Sequence, residues 1–494
     1  MKKLLLTIMA VMATFAVKAE TKTYTDQLVV TVDGNETDMT ATVEVDLLED
    51  DYINFRLNNF VLAGDGDDKM YVGNIVVPNL YLTQKDGYQT FSYNANLMIT
   101  AGNVEGKEEG DWVGPIISPV PVVLNGTIAG DKLFVNIDIN MVSLGQIINV
   151  QFGQKFVADP TVVSQKDYTA AMATKMTGKQ DDATVTLVLP ASEITTTVTT
   201  LSNGNINLEI KDLMIASGEE MLPLGNLSFS DVALLKREVN TFYYSGFAGF
   251  EGEESALAGA LVTAQLKGNV EGNDLFYTLT VNVPDMNIVF DFTFSENKYA
   301  PTILSSKTYE DNIVVRVNES ETEPMAASVK VDRLSNGNIN FSLPDFVMEL
   351  EGNKMYVGNI YIEDLPLIEG EGKRSYELIN YNGMLRITAG SDSEQFWVGP
   401  ELGFIPLRLK GKLTDDKLFV TIDIDMQESL AQTIYVNFGS DIANGIVEMS
   451  NVKCQMSNAI YDMSGRRVSV PSVSSVSSVR PKGIYIVNGK KVIR

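Results

Sequence analysis

The sequence predicts an all-β chain of three tandem antiparallel barrels followed by a small β-hairpin tail. Three observations carry this. Blocks recur at fixed offsets: Lys69-Met-Tyr-Val-Gly-Asn-Ile75 returns letter for letter at Lys354 to Ile360, and Asp131-Lys-Leu-Phe-Val135 returns at Asp416 to Val420. Repetition of this kind marks homologous structural units. Apolar residues alternate with polar ones, as in Leu133, Val135, Ile137, Ile139 and Met141 against Phe134, Asn136, Asp138 and Asn140. A period of two places one face of a strand on a core and the other toward water. Turn residues punctuate these runs, and no long amphipathic helix separates them, which is the composition of a barrel or sandwich.

Taken in chain order, the first 19 residues come before any strand. Lys2 and Lys3 precede the apolar run Leu4–Val17, and Val17-Lys18-Ala19 ends in small side chains. This is the pattern of a secretory signal, too short to span a membrane, with cleavage expected between Ala19 and Glu20. The mature chain is expected in the periplasm, at the cell surface or secreted. No later stretch is apolar for long enough to predict a membrane span.

The first module is assigned to 22–155. It opens on Tyr24 and runs through Ile53-Asn-Phe55, the Val72-Gly-Asn-Ile75 block, Trp112-Val-Gly-Pro115 and the alternating strand at 133–141. The second, 165–297, opens on Tyr168 and is divergent. It carries Leu222-Pro-Leu-Gly-Asn-Leu227 where the others have the Val-Gly-Asn-Ile block, lacks the Trp block, and is about ten residues shorter there. Its inward face reads Leu275, Tyr277, Leu279, Val281 and Val283. The third, 304–440, opens on Tyr309 and repeats the first almost block for block, with Leu418, Val420, Ile422, Ile424 and Met426 as its alternating face. Eight to ten short strands are expected per module. Asp33-Gly34, Gly64-Asp65-Gly66, Asn125-Gly126, Asn203-Gly204 and Asn336-Gly337 are read as turns, since Gly and Asn supply positive φ. In the tail, 455–494, a Ser/Val linker spans 469–479, and Asn488-Gly489 between two β-prone runs predicts a hairpin.

The block order in 24–440 resembles the calycin-like β-barrel domain of secreted Bacteroidetes proteins, on the Tyr-led strand, the Asn-Ile-Asn-Phe strand, the Val-Gly-Asn-Ile block and the closing Val436-Asn-Phe-Gly439. That resemblance implies a barrel, and by analogy with lipocalins a small apolar ligand inside it. The tail is similar to the end of a type IX secretion sorting domain, on Tyr461, Asp462, Gly465, Arg466, Gly483, Tyr485, Val487, Lys490 and Lys491. This resemblance implies the secretion machinery as a partner.

Composition restricts the chemistry. The chain has no histidine and one cysteine, Cys454. The commonest general base and metal ligand are therefore missing, and no intramolecular disulfide can form. The net charge is −26, and more negative once Lys2, Lys3 and Lys18 are removed. Such a surface repels nucleic acid and anionic lipid, so neither is an expected partner. After residue 440 the balance reverses, with eight Lys or Arg against three Asp or Glu. Asp65-Gly-Asp-Asp68 has the spacing of a calcium loop, yet an acidic turn explains it without a metal. Glu105, Glu108, Glu109 and Asp111 could form a carboxylate pair, yet module three has only Asp392 and Glu394 there. No catalytic, metal or cofactor residues are assigned, and the chain is read as non-enzymatic. Trp112 and Trp397, the only tryptophans, are the candidate ligand-binding residues, with a core plug as the competing role. The reading is a secreted or surface binding protein, possessing a small hydrophobic ligand if its barrels are hollow. The alternative is a structural or adhesive spacer if they are filled.

Overall fold

A computed structural model describes residues 20–442 apart from short stretches, together with 460–461, 467–468, 484–487 and 490–493 of the tail. The signal segment through Ala19, the Asp65–Asp68 turn, Cys454 and the Ser/Val linker lie outside the described residues.

Barrel 1 comprises β1 (Glu20–Val32), β2 (Asn35–Leu47), β3 (Tyr52–Ala63), β4 (Lys69–Tyr81), β5 (Thr83–Lys85), β6 (Tyr88–Leu97), β7 (Val120–Ala129), β8 (Lys132–Met141) and β9 (Gln146–Phe152). Barrel 2 follows with β10 (Val162–Gln180), β11 (Ala183–Leu201), β12 (Ile206–Ser217), β13 (Glu220–Val232), β14 (Leu234–Leu235), β15 (Thr241–Ala248), β16 (Phe250–Glu251), β17 (Val262–Glu271), β18 (Asp274–Val283) and β19 (Ile288–Phe294). Barrel 3 has β20 (Ile303–Val317), β21 (Ser320–Glu321), β22 (Met325–Leu334), β23 (Ile339–Leu350), β24 (Asn353–Leu365), β25 (Leu367–Ile368), β26 (Glu377–Arg386), β27 (Phe404–Leu413), β28 (Leu418–Met426) and β29 (Gln432–Phe438).

Each barrel is an antiparallel meander in which the first strand also pairs with the last, as β1 does with both β2 and β9. The alternation sets which side chains face inward. Leu133, Val135, Ile137 and Ile139 are buried in barrel 1, Leu418, Val420, Ile422 and Ile424 in barrel 3, and the whole set Leu275 to Val283 in barrel 2. Each barrel has its own apolar core.

Two expectations need correction. The first strands are long: β10 and β11 each have 19 residues and pair along most of their length. Asn125-Gly126 is not a turn but lies inside β7, opposite Phe91. A Cβ on Gly126 would fall 2.0 Å from Phe91 Cζ, so this glycine makes room for a ring from the neighbouring strand.

The repeated blocks close the barrels. β4 and the segment just after β6 are joined by a bridge between Asn74 and Thr100, with hydrogen bonds of 2.8 and 3.2 Å. Gly73 takes φ +130, and a Cβ there would lie 2.2 Å from the Thr100 carbonyl oxygen, so only glycine fits. Asn74 then fastens the seam: Nδ2 donates to the Ala101 carbonyl at 2.7 Å, and Oδ1 accepts from the Asn59 amide at 2.8 Å. Barrel 3 repeats this with Gly358, Asn359, Ala389 and Asp345. Barrel 2 keeps the glycine and asparagine as Gly225 and Asn226, the latter taking the Asp212 amide. The Asn-Ile-Asn strand works similarly: Asn54, Asn207 and Asn340 accept from the amides of Asn79, Asp231 and Asp364, each at positive φ.

The three barrels touch pairwise. Asn94 of barrel 1 donates to the Tyr244 hydroxyl and accepts from the Phe247 amide. Arg237 of barrel 2 reaches the carbonyls of Asn336 and Leu367 and Asn338 Oδ1 in barrel 3. Barrel 3 returns to barrel 1 through the outward side chains of β27: Arg408 donates to the Pro78 carbonyl, Lys410 to Asn79 Oδ1, and Lys412 pairs with Asp50 at 3.1 Å. The described residues of the tail, a separate unit, form four short strands. Its Ile484–Val487 and Lys490–Ile493 pair antiparallel as the hairpin expectation requires. No helix among the described residues is long and apolar enough to cross a membrane.

Candidate binding cleft

The interiors of barrels 1 and 2 are occupied by their own side chains. Barrel 2 stacks Tyr277 on Phe294 at 4.8 Å, and the Tyr277 hydroxyl is satisfied by Thr196 at 2.7 Å. Burial pushes that phenol well above its ordinary pKa. Barrel 1 centres on Leu28, Phe55, Leu124 and Phe152, all buried. A small barrel filled this way is a core rather than a container.

The two tryptophans sit beside the seam. Trp112 is fully buried, with its ring against Gly102, where a Cβ would lie 2.2 Å from the indole, and edge-on to Tyr71 at 5.5 Å. Trp397 repeats the arrangement with Gly390 and Tyr356, and its Nε1 donates to the Asp392 carbonyl at 2.8 Å. Gly114 and Gly399 of the same blocks press on Ile99 and Ile387. The acidic loop folds into a short 3-10 turn: the Glu108 amide donates to Asp111, and the Asp111 amide donates to the Glu108 carbonyl. These carboxylates serve the turn. Among the described residues no group of His, Cys, Asp and Glu is arranged to hold a metal.

Tyr71 also walls a shallow recess of about 310 Å³ with Val61, Lys69 and Val104. Trp112 thus stands behind this wall, and the Lys107 ammonium lies 4.2 Å from the Tyr71 ring centre.

A larger opening belongs to barrel 3. The β22–β23 ladder holds only from Lys330 to Arg333 against Ile339 to Ser342, and then the strands part. Between them lies a cleft of about 660 Å³. Its floor is apolar: Ile313, Leu343 and Phe346 are buried, with Met325 and Ala327 half-buried beside them. Its rim carries Glu310, Asp311 and Asp345, and no Lys or Arg lines it. Asp311 follows Tyr309 and precedes Ile313 on the inward side of β20, so a carboxylate stands where alternation calls for a core residue. Asp345 holds the Ser391 amide at 2.6 Å and hydroxyl at 2.8 Å, which fixes the rim in place. Barrel 1 parts at the same point, its β2–β3 ladder ending at Glu44 and Arg56. There Leu28, Met39, Ala41, Leu57 and Phe60 match the barrel 3 floor, but Asn59 replaces Asp345 and Thr25 replaces Glu310.

The sequence reading singled out neither cleft. The available signal was Tyr-x-Asp-x-Leu/Ile in the first strand of modules one and three, with its charged residue on an apolar face.

A family model described as the calycin-like beta-barrel domain matches residues 21–155, 164–296 and 306–441. No curated protein matches the chain. Among solved structures, one similar to it is a Bacteroides fragilis NCTC 9343 protein assigned provisionally to the outer membrane. The two are 16% identical over 55% of this chain and 95% of that one, with a TM-score of 0.20. Another is the isotype 1 transferrin binding protein B of serogroup B Neisseria meningitidis, at 12% identity, covering 85% of this chain and 76% of that one, TM-score 0.17. A third is HpuA of Kingella denitrificans, solved in complex with human haemoglobin, at 14% identity, covering 58% and 90%, TM-score 0.14. At such low identity and superposition scores, what those proteins bind is a property of those proteins.

Proposed function

The chain belongs to the calycin-like β-barrel family, in three tandem copies, and on that premise we propose that it is an exported, non-enzymatic binding protein. Its barrels are the scaffold, and its binding surface is the lateral cleft of barrel 3. The observation that carries this reading is the contrast between filled interiors and an open, apolar-floored cleft of about 660 Å³, within the size range of small-ligand sites. The same reading moves the ligand from the lipocalin-like interior to the side of the barrel. Trp112 and Trp397 then act as plugs that hold the seam loops, with Trp112 backing the smaller recess. Export rests on the Lys2-Lys3 and Leu4–Val17 pattern before Ala19, and the tail's likeness to a sorting domain suits delivery to the cell surface. A non-enzymatic role fits the missing histidine and the structural use of Glu108 and Asp111.

The spacer reading draws support from the filled cores. The return contact of barrel 3 on barrel 1 counts against it, because a chain that closes on itself gains little length from its copies.

Methionine-methyl NMR of the full chain, titrated with the neutral apolar dye Nile red, tests the cleft. Saturable movement of the Met325 methyl is expected, with Met348 in the core unmoved. Movement of Met348 without Met325 would place the ligand inside the barrel and overturn this reading.

A further inference from the structure

We propose that the barrel 3 cleft receives an extended peptide that alternates apolar and basic residues and adds as a strand to the free edge of β22. This rests on the cleft being the binding surface and names its occupant.

The backbone favours a strand. Beyond Lys330, β22 pairs with β20 on one side only, from Val329↔Tyr309 to Met325↔Ile313. Its outer edge from Met325 to Val329 therefore presents amide and carbonyl groups to the cleft with no ladder partner, and an extended peptide can satisfy them. The two walls differ. β23 is spoiled as an edge, since Pro344 has no N–H, Asp345 takes φ +47, and the Asp345 amide is already bound to Asn359. The β22 edge has no proline and no charge, and Ala326, Ala327 and Ser328 are small enough to let a backbone approach.

The side chains fix the pattern. A strand beside β22 would turn alternate residues down onto Ile313, Leu343 and Phe346, which select apolar groups. The residues between them would point outward past Ala326 and Ser328 toward Glu310 and Asp345, with Asp311 on the inward side of β20 as a third carboxylate and no cation in the lining. Charge complementarity there selects Lys or Arg. An extended neutral or acidic strand meets the same floor but uncompensated carboxylates.

The probe is a seven-residue peptide alternating Lys and Val, capped at both ends, added to the full chain with Met325 and Met39 methyls observed. Saturable movement of Met325 is expected. A peptide alternating Glu and Val should bind at least about tenfold more weakly, and the double variant Glu310→Lys with Asp311→Asn should weaken the Lys peptide about fivefold, the scale of exposed charge pairs. Two further Lys/Val peptides, N-methylated at alternate residues in opposite phases, test strand addition. One phase should lose binding and the other keep it. Equal binding by both phases would overturn strand addition. Equal binding by the Lys and Glu peptides would overturn the basic occupant. If no peptide moves Met325 while Nile red does, the peptide inference fails and the cleft stands. If neither moves it, both fail.

Discussion

At the scale of single residues, the most informative glycines are those that recur in the Val-Gly-Asn-Ile blocks. Gly73 combines a left-handed φ with a carbonyl 2.2 Å from where its Cβ would be, whereas Gly87, at φ +85, has open space around it. The two separate strain from clash. Gly87→Ala should cost about 1 kcal/mol, the backbone term alone. Gly73→Ala should cost about 3 kcal/mol or more, since the seam must also shift. Urea unfolding of the two variants measures both, and equal costs would show that the seam contact carries no stability. A reader of the sequence sees that these glycines repeat. The reason lies in a carbonyl 27 residues further on, which only the closed barrel brings to the glycine.

At the scale of elements, strands and modules were legible because the period of two is local and recurs. Leu418, Val420, Ile422 and Ile424 could be placed inward from the pattern alone. Gly126 was misread because Asn-Gly is a turn signal by local chemistry, and the ring that requires it comes from β6. The parting of β22 from β23 was hidden for a related reason. Met325, Ala327 and Leu343 look like ordinary core residues, and only Asp311 breaks the face. Each barrel keeps a core of its own, so a fragment of residues 300–442 should fold cooperatively. These bounds retain Asp441, which accepts from Lys412 at 2.9 Å, and Ile442, whose carbonyl accepts the same ammonium. Absence of a cooperative urea transition in the fragment would show that barrel 3 depends on its neighbours.

At the scale of the whole three-barrel unit, the outward face of β27 holds the return contact, where Lys410 and the ion-paired Lys412 are pushed in opposite directions. The Lys410 ammonium donates to Asn79 Oδ1 at 2.6 Å and lies 4.3 Å from the Tyr52 ring centre. Burial lowers its pKa from 10.5 to about 8, with Asp423 and Asp50 pulling upward and Arg408 and Lys412 downward. The unfolded chain therefore binds more protons than the folded one between about pH 8 and 10.5, and stability from this group rises with pH across that window. The gain is about 3 kcal/mol at most. Above pH 10 the buried phenols of Tyr243, Tyr277 and Tyr381, whose pKa values burial raises, act in the opposite sense, as does Lys412, where burial is outweighed by Asp441 and Asp50, which raise the pKa. Thermal unfolding of the full chain should thus show added stability between pH 8 and 10 that Lys410→Met removes. A slope that survives the substitution would assign it to another group. None of this was readable beforehand, because an outward Lys on an amphipathic strand is normally solvated, and its partner is some 330 positions away in the chain.

The shared seam clasp has a consequence for how the chain is made. β4 and β24 carry the same seven-residue block and the same glycine and asparagine fittings, so each is chemically competent to close the other's barrel. Newly synthesised repeats misassemble most readily when an interchangeable partner emerges next to them. Here the divergent barrel 2 emerges between the two near-identical ones. Its Leu222-Pro-Leu-Gly-Asn-Leu segment closes against Glu251 rather than a Thr counterpart of Thr100 and Thr388, and its shorter loop offers no matching socket. The middle module therefore acts as a temporal insulator. In an exported chain, which folds after crossing the inner membrane, it keeps β24 away from barrel 1 while β4 closes it.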